Sequence, residues 1–425
     1  MFNSTLDRAY GTVLRCAVLV AVTGMGVLAS SAASASPAEG HLVIVGGGLK
    51  ADNEAVYRAF LDARPASKRQ IVIIPAASGE PAASAEAVRD AMIRHGANAD
   101  DIVIAKIALR DDPGTRTVDE SRWASNVGKA SELAKIERAG AIWFTGGDQS
   151  RITQLLMTAT GEDTPFLSAI RARHASGAVI GGTSAGAAIM SGAMITGGDA
   201  LGTLLPGEVG EELGLARGLH FMRGALIDQH FGERARLGRL AGALLRLRQI
   251  SPIGFGIDEN TALVVEPGQE QARVVGAAYV TLLDARSARF VETERIAISD
   301  LLLGLAGNGD VIDLASGSVE PAWYRRDTDG REYFSRPAPS GGGMAVAGSS
   351  LADVIGEALL DNSASREVVR YSFSGDAGFA YRFTQVSQSR AAWGRDPQGN
   401  AAYSISGVRF DIEPVTVKIQ SLESQ

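Results

Sequence analysis

Short apolar stretches alternate with amphipathic stretches through the first half of the chain. Five apolar stretches predict buried β-strands, at residues 41–45, 70–77, 101–105, 141–145 and 178–180. The intervening stretches at residues 82–95, 125–139 and 150–157 predict helices, and in the first of them Ala85, Val88 and Met92 fall on one face. Continuously apolar strands separated by helices predict an α/β fold, with a mostly parallel sheet and helices on both faces.

The pattern changes in the last third of the chain. Residues 337–343 are rich in Pro and Gly, which favours a loop or linker, and residues 350–360 predict a short helix. Four further strands are predicted at residues 368–373, 377–384, 402–410 and 415–419. We therefore predict a main α/β domain at residues 36–305 and a small, β-rich C-terminal appendage at residues 306–425. The pattern leaves open whether the appendage adds strands to the main domain or forms a binding module of its own.

The first 35 residues have the features of a secretory signal peptide. Arg8 and Arg15 give a positive start, residues 17–29 are a short apolar stretch, and Ala33 and Ala35 form a small-residue cleavage site. We therefore expect residues 1–35 to be removed and the mature protein to be secreted or periplasmic. After that cleavage we expect no association with a membrane.

Composition narrows the class of protein. The chain has 425 residues, 45% of them apolar, which is sufficient for a sizeable core. Its net charge of −7 argues against nucleic acid as a partner. The only cysteine is Cys16, within the predicted signal peptide, so the mature chain has no disulfide, no thiol nucleophile and no thiolate metal site.

A serine lies in a sharp turn after the fifth predicted strand. Gly182 and Gly186 flank Ser184 in a Gly-x-Ser-x-Gly pattern, and an apolar helix follows. This pattern is typical of a nucleophile elbow, in which the hydroxyl projects above the sheet edge; the alternative is a turn that merely connects strand and helix. The earlier run Gly46-Gly47-Gly48 lacks the spacing of a dinucleotide-binding loop, so we reject a nucleotide site there.

A nucleophilic serine requires a base and an acid. Among the five histidines, His230 follows the apolar stretch 221–227 and lies at the predicted carboxyl edge of the sheet. Asp258 and Glu259 come just before another apolar stretch, and either could orient the imidazole. The resulting order is Ser, His, acid, whereas α/β-hydrolases have Ser, acid, His, which disfavours an esterase or lipase.

Four motifs together resemble the cyanophycinase family, serine peptidases related to dipeptidase E. They are residues 144–149 (FTGGDQ), 182–187 (GTSAGA), 228–239 (DQHF with three arginines) and 256–259 (GIDE). The resemblance covers about residues 40–305. It implies a class I glutamine-amidotransferase-like α/β fold and hydrolysis of cyanophycin, a polyaspartate with arginine on each β-carboxyl group, to β-aspartyl-arginine dipeptides. It implies no metal and no other cofactor.

The resemblance also implies roles for individual residues. Ser184 is the expected nucleophile, His230 the general base and Glu259 the acid, although Asp258 is adjacent. The amides of Gly147 and Ala185 are expected to form the oxyanion hole. The expected substrate-binding residues are Gln149, Asp228, Gln229, Arg234, Arg236 and Arg239. An alternative for the three arginines is a solvated helix face.

Three functions follow from these residues. The favoured one is an exported cyanophycinase whose partner is the cyanophycin polymer. The second is a related exported serine peptidase for aspartyl or isoaspartyl peptides. The third is a non-catalytic binding protein on the same fold, which the presence of Ser184, His230 and an acid disfavours. The sequence leaves a homodimer open.

Overall fold

A computed structural model describes residues 39–292, 295–339, 341–343 and 350–418. The predicted signal peptide, residues 1–35, lies outside these described residues. The α-helices are α1 Glu54–Asp62, α2 Pro81–Arg94, α3 Ala130–Arg138, α4 Gln149–Leu156, α5 Pro165–Ala175, α6 Ala185–Ala188, α7 Ala200–Leu204 and α8 Leu237–Leu247. The described part also contains 3-10 helices at Ala99–Asp101 and Glu120–Gly128 and a π-helix at Asp353–Leu360.

The strands are numbered in chain order. They are β1 Leu42–Val45, β2 Gln70–Ile74, β3 Ile102–Ile104, β4 Ala139–Phe144, β5 Val179–Thr183, β6 Ala193–Gly197, β7 Gly214–Arg217, β8 Ala225–Gln229, β9 Ile253–Ile257, β10 Thr261–Val265, β11 Gln271–Gly276, β12 Val280–Asp284, β13 Arg289–Glu292, β14 Ile296–Ala306, β15 Val311–Asp313, β16 Val319–Glu320, β17 Arg325–Asp327, β18 Glu367–Ser374, β19 Ala377–Thr384, β20 Arg390–Arg395 and β21 Ala401–Thr416.

The first sheet carries the predicted parallel core. Its order is β16-β15-β11-β10-β1-β5-β4-β2-β3, and β1, β5, β4, β2 and β3 are parallel neighbours. Strands β10, β11, β15 and β16 extend it antiparallel from β1. Strands β1 and β4 are buried throughout, as expected for strands that are covered on both faces. The mixed α/β architecture predicted from the apolar pattern is therefore confirmed.

A second sheet contains ten strands and includes the C-terminal part of the chain. Its main path is β17-β20-β21-β14-β12-β9-β8, and β13, β18 and β19 join it at its side. Strands β8 and β9 are parallel, and the pairings along the rest of that path are antiparallel. Because β21 pairs with β14, the C-terminal strands continue the sheet that begins with β8. The sequence had left this arrangement open.

One apolar core joins the two sheets beneath the site. Phe144 on β4, Ile227 on β8 and Phe255 on β9 are buried in the same cluster. Full burial of each such side chain stabilises the fold by about 1.5–3 kcal/mol. This packing fixes the carboxyl ends of β4 and β5 against those of β8 and β9.

The helices of the structure differ from the prediction in two places. The helix predicted at residues 125–139 is divided, because a 3-10 helix ends at Gly128, α3 begins at Ala130 and β4 begins at Ala139. Helix α1 was not predicted between the first two strands; Asn53 caps it by accepting a hydrogen bond from the Val56 amide. Within the described residues, no helix has both the length and the apolar character to cross a membrane.

Candidate active site

Ser184 lies in a strained turn between β5 and α6. Its φ is 54° and its ψ is −108°, an unfavourable conformation for a residue with a side chain. The flanking glycines are required by close backbone contacts. A Cβ on Gly182 would lie 2.5 Å from the Gly186 carbonyl oxygen, and one on Gly186 would lie 2.5 Å from the Phe144 carbonyl oxygen. The turn therefore has the tight geometry expected of a nucleophile elbow.

His230 lies between the serine and an acidic side chain. Its Nε2 is 2.8 Å from Ser184 Oγ, and its Nδ1 is 2.5 Å from Glu259 Oε1. The serine follows β5 of the first sheet, whereas the histidine and glutamate follow the parallel neighbours β8 and β9 of the second. The site thus forms where the two sheets meet.

Asp258 points away from the imidazole. Its carboxylate accepts hydrogen bonds from the amides of Gly232, at 2.8 Å, and Tyr279, at 3.2 Å. Burial, and then the neighbouring charge of Glu233, raise the pKa of Asp258 to about 7. Of the two acids that the sequence could not separate, Glu259 is the one that contacts His230.

The glycine run after β1 packs against this histidine and glutamate. A Cβ on Gly47 would lie 2.3 Å from His230 Cε1, and one on Gly48 would lie 2.4 Å from Glu259 Oε2. The Gly46 carbonyl also accepts a hydrogen bond of 2.6 Å from the His230 amide. The spacing of these glycines excluded a nucleotide site, and no other role for them was predicted. The signal available was position, because β1 is the direct parallel neighbour of β5.

The environment of His230 favours its neutral form. Burial lowers the pKa of the imidazole, and the hydrogen bond that Nδ1 donates to Glu259 offsets part of this effect. A neutral imidazole whose Nδ1 proton is held by Glu259 presents an unprotonated Nε2 to Ser184 Oγ. That is the form in which it can accept the serine proton.

We expect the acid limb of the pH profile of kcat/KM to lie below the ordinary histidine pKa of about 6.5. The lowered pKa of His230 keeps the base unprotonated to lower pH, so activity should persist there and fall only when the imidazole is protonated. The measurement is the pH dependence of kcat/KM on a soluble peptide substrate. A limb above that value, with the fold intact across the range, would contradict a buried His230 as the base.

The turn after β4 lies beside the serine, because β4 and β5 are neighbours in the sheet. A Cβ on Gly146 would lie 3.4 Å from Ser184 Cβ. Gly147 has a φ of 140°, and a Cβ there would lie 2.1 Å from the Ala77 carbonyl oxygen. Gly147 lines the space next to Ser184, and Ala185 is the first residue of α6. The oxyanion role of these two amides stays a prediction.

A polar cavity of about 280 Å³ opens beside Ser184. Five of the six predicted substrate-binding residues line it, together with Glu211, which no motif of the sequence indicates. Those five are Gln149, Gln229, Arg234, Arg236 and Arg239. The side-chain amide of Gln149 donates to the Ile195 carbonyl at 2.7 Å, which fixes its position in the wall.

Asp228 is buried behind the cavity and binds two of the arginines. Arg239 donates to both of its carboxylate oxygens, from Nε at 3.0 Å and also from Nη2. Arg236 Nη1 lies 3.3 Å from the same carboxylate, and Arg239 Nη1 donates to the Gly198 carbonyl at 2.8 Å. The Asp228 and Arg239 side chains are 1% and 5% exposed. Asp228 therefore orients the arginines rather than facing the cavity.

Arg234 differs from the other two arginines. It is exposed, and among the described residues no carboxylate lies within ion-pair distance of its guanidinium. Its backbone amide donates to the His230 carbonyl at 3.1 Å, which ties its position to that of the histidine. It is the cation of this cavity that is free to bind an anionic group.

Comparisons with known proteins identify the family of the chain. Residues 42–273 match the model of peptidase family S51. The cyanophycinase of Trichormus variabilis is 31% identical over 293 residues, which cover 67% of this chain and 88% of that protein. The cyanophycinase of Geminocystis herdmanii is 31% identical over 278 residues, 63% of this chain and 91% of that protein. A solved peptidase from an acI-B1 Actinobacterium is 19% identical, with 66% of this chain and 98% of that chain covered and a TM-score of 0.45. By its family match and its relatives, the chain belongs to peptidase family S51 and is a serine-type peptidase.

Proposed function

We propose that this protein is an exported cyanophycinase, which hydrolyses cyanophycin to β-aspartyl-arginine dipeptides. The observation that carries the proposal is the hydrogen-bonded series Ser184, His230 and Glu259 beside a polar, arginine-lined cavity. The names of the curated relatives support the choice of substrate.

In the proposed mechanism, His230 Nε2 takes the proton of Ser184 Oγ as the oxygen attacks the scissile carbonyl. Glu259 stabilises the imidazolium that forms and holds the ring in orientation. The amides of Gly147 and Ala185 would donate to the oxyanion of the tetrahedral intermediate. His230 then gives its proton to the leaving amine, and water hydrolyses the acyl-enzyme by the same steps in the second half of the reaction.

Substrate recognition would depend on the free arginine of the cavity. Each unit of cyanophycin presents a carboxylate and a guanidinium on its amide-linked arginine. Arg234 is suited to hold the carboxylate through two parallel hydrogen bonds. Arg236 and Arg239, held by Asp228, would give the wall a fixed positive potential for the same group.

The test is incubation of the mature protein with cyanophycin granules, with the soluble products identified by mass. The expected product is the dipeptide of aspartate and arginine, and a matched incubation with the Ser184→Ala variant should release none. If Ser184 reacts with a fluorophosphonate but the granules yield no soluble product, cyanophycin is not the substrate. Screening of isoaspartyl peptides would then test the second function.

We further propose export, on the basis of the leader-like residues 1–35. Mature protein recovered from the periplasm or the medium should begin at Ser36, because Ala33 and Ala35 form the small-residue cleavage site. N-terminal sequencing of protein from the native host provides the measurement. Active protein that begins at Met1 and is found only in the cytoplasm would contradict export.

A further inference from the structure

A second, larger cavity lies beside the one at Ser184. It has a volume of about 740 Å³, within the range of roughly 300–1,000 Å³ typical of ligand sites. Arg234 and Arg236 line both cavities, so the turn that follows His230 forms a common wall. A substrate bound at Ser184 could therefore extend into the second cavity.

The C-terminal part of the chain forms one side of this cavity. Ser350, Leu351 and Ala352 line it just before the π-helix, and Ser372 on β18 and Tyr381 on β19 complete that side. The family match ends at residue 273, so these residues lie outside the matched region. The second cavity thus depends on a segment that the peptidase family model does not include.

The lining combines apolar and aromatic groups with carboxylates. Phe231, Tyr279 and Tyr381 supply rings, and Leu201, Leu237, Leu305 and Leu351 supply aliphatic surface. Glu233 and Asp258 supply carboxylates to the lining of the same cavity. An arginine side chain requires the same combination: apolar surface for its stem, aromatic faces, and carboxylate oxygens for its guanidinium.

Neither of these two carboxylates has a cationic partner within the described residues. Asp258 accepts from the amides of Gly232 and Tyr279, and Glu233 accepts from the amide of Glu259 at 3.2 Å. The third carboxylate of the lining belongs to Asp199, which caps α7 by accepting a hydrogen bond from the Gly202 amide. Asp258 is half-buried and has no ion pair, so its charged form is costly in the free protein, and a bound cation would offset that cost. Glu233 is exposed, so its carboxylate is open to a cation that enters the cavity.

We propose that the second cavity binds the arginine side chain of the polymer unit on the far side of the cleaved bond, with Glu233 and Asp258 as acceptors. The inference rests on the proposed function for the identity of the substrate. Arg234, on the common wall, would hold a carboxylate of the substrate while the guanidinium enters the second cavity. Since the pKa of Asp258 is raised to about 7, an entering guanidinium would also favour release of its proton.

The test uses the Ser184→Ala variant of the full mature chain, so that no turnover occurs. The probe is Nα-acetyl-L-arginine amide, and its neutral isostere Nα-acetyl-L-citrulline amide is the matched ligand control. Isothermal titration calorimetry is carried out at a pH above the pKa of Asp258. The citrulline compound should bind at least about tenfold more weakly than the arginine compound, because a charge-assisted contact is lost.

Three further variants locate the probe. Glu233→Gln keeps an acceptor for the Glu259 amide but removes the charge, and should weaken probe binding about tenfold. Leu351→Lys brings an ammonium from the C-terminal side and should weaken binding as much. Glu211→Gln removes a charge that lines only the cavity at Ser184, and should leave binding unchanged.

Equal binding of the two probes, or no binding, would overturn the proposal. So would loss of binding in Glu211→Gln alone, since that result places the guanidinium beside Ser184. Circular dichroism of each variant excludes unfolding as the cause.

Failure of the wild-type enzyme to cleave cyanophycin is a separate result, because the titration requires no hydrolysis. That failure, together with binding of the arginine probe, would indicate a guanidinium site on a peptidase with another arginine-containing substrate.

Discussion

Replacing Ser184 by alanine should abolish hydrolysis while leaving the fold intact. The Ser184 hydroxyl is placed to attack a carbonyl, with His230 Nε2 at 2.8 Å as its base. Removal of a catalytic serine costs on the order of 10⁴-fold or more in kcat. The measurements are release of soluble dipeptide from cyanophycin and covalent labelling by a fluorophosphonate, both of which should be lost. A residual, chelator-sensitive activity in this variant would contradict an acyl-enzyme.

The two adjacent acids provide a matched control for the same experiment. Glu259→Gln should lower kcat strongly, because the amide cannot stabilise the imidazolium and disturbs its tautomer. Asp258→Asn should retain more of the kcat on a small substrate, since that side chain binds backbone amides and not the imidazole. If only Asp258→Asn is inactive while its melting temperature is unchanged, the assignment of the acid is wrong.

Much of the fold was predictable because its strands are buried on both faces. Continuous apolar stretches such as 42–45 and 141–144, separated by helices, favour a parallel sheet that is covered on both faces, and the structure shows such strands in β1 and β4. The second sheet was not predictable from periodicity. The pairing of β21 with β14 joins residues about a hundred positions apart. The alternating pattern of a strand does not indicate which other strand it will pair with.

The site was predictable where a motif combines residue type with local geometry. The Gly-x-Ser-x-Gly turn identified Ser184, because only small residues tolerate its backbone contacts. The choice between Asp258 and Glu259 was not predictable from the residues, because it depends on which side chain turns toward His230 after β9. For Gly47 the sequence indicated only a position beside the serine turn, because its contact with His230 crosses from one sheet to the other.

The three arginines that follow His230 should separate into two classes when they are replaced. Arg239 is buried with Asp228 and donates to both of its carboxylate oxygens, whereas Arg234 is exposed and free of a carboxylate partner within the described residues. A buried charge that loses its partner is strongly destabilising, by about 3–5 kcal/mol. We therefore expect Arg239→Ala to lower the free energy of unfolding by that order and to lose peptidase activity and fluorophosphonate labelling together.

Arg234→Ala should behave in the opposite way. Its free energy of unfolding should be close to that of the wild type, because an exposed side chain without an ion pair contributes little to it. Cleavage of cyanophycin should weaken by about tenfold to a hundredfold in kcat/KM, the equivalent of one lost charge-assisted contact of about 1.5–3 kcal/mol. Arg234→Lys should not restore it, since an ammonium cannot form two parallel hydrogen bonds with a carboxylate.

Fluorophosphonate labelling distinguishes the two classes. The small reagent needs only Ser184, His230 and the oxyanion donors, so its rate should hardly change in Arg234→Ala while cleavage of the polymer falls. Equal loss of labelling and cleavage in Arg234→Ala, with a lowered melting temperature, would mean that this arginine supports the fold. Unchanged cleavage would place it on a solvated surface, the alternative that the sequence left open for all three arginines.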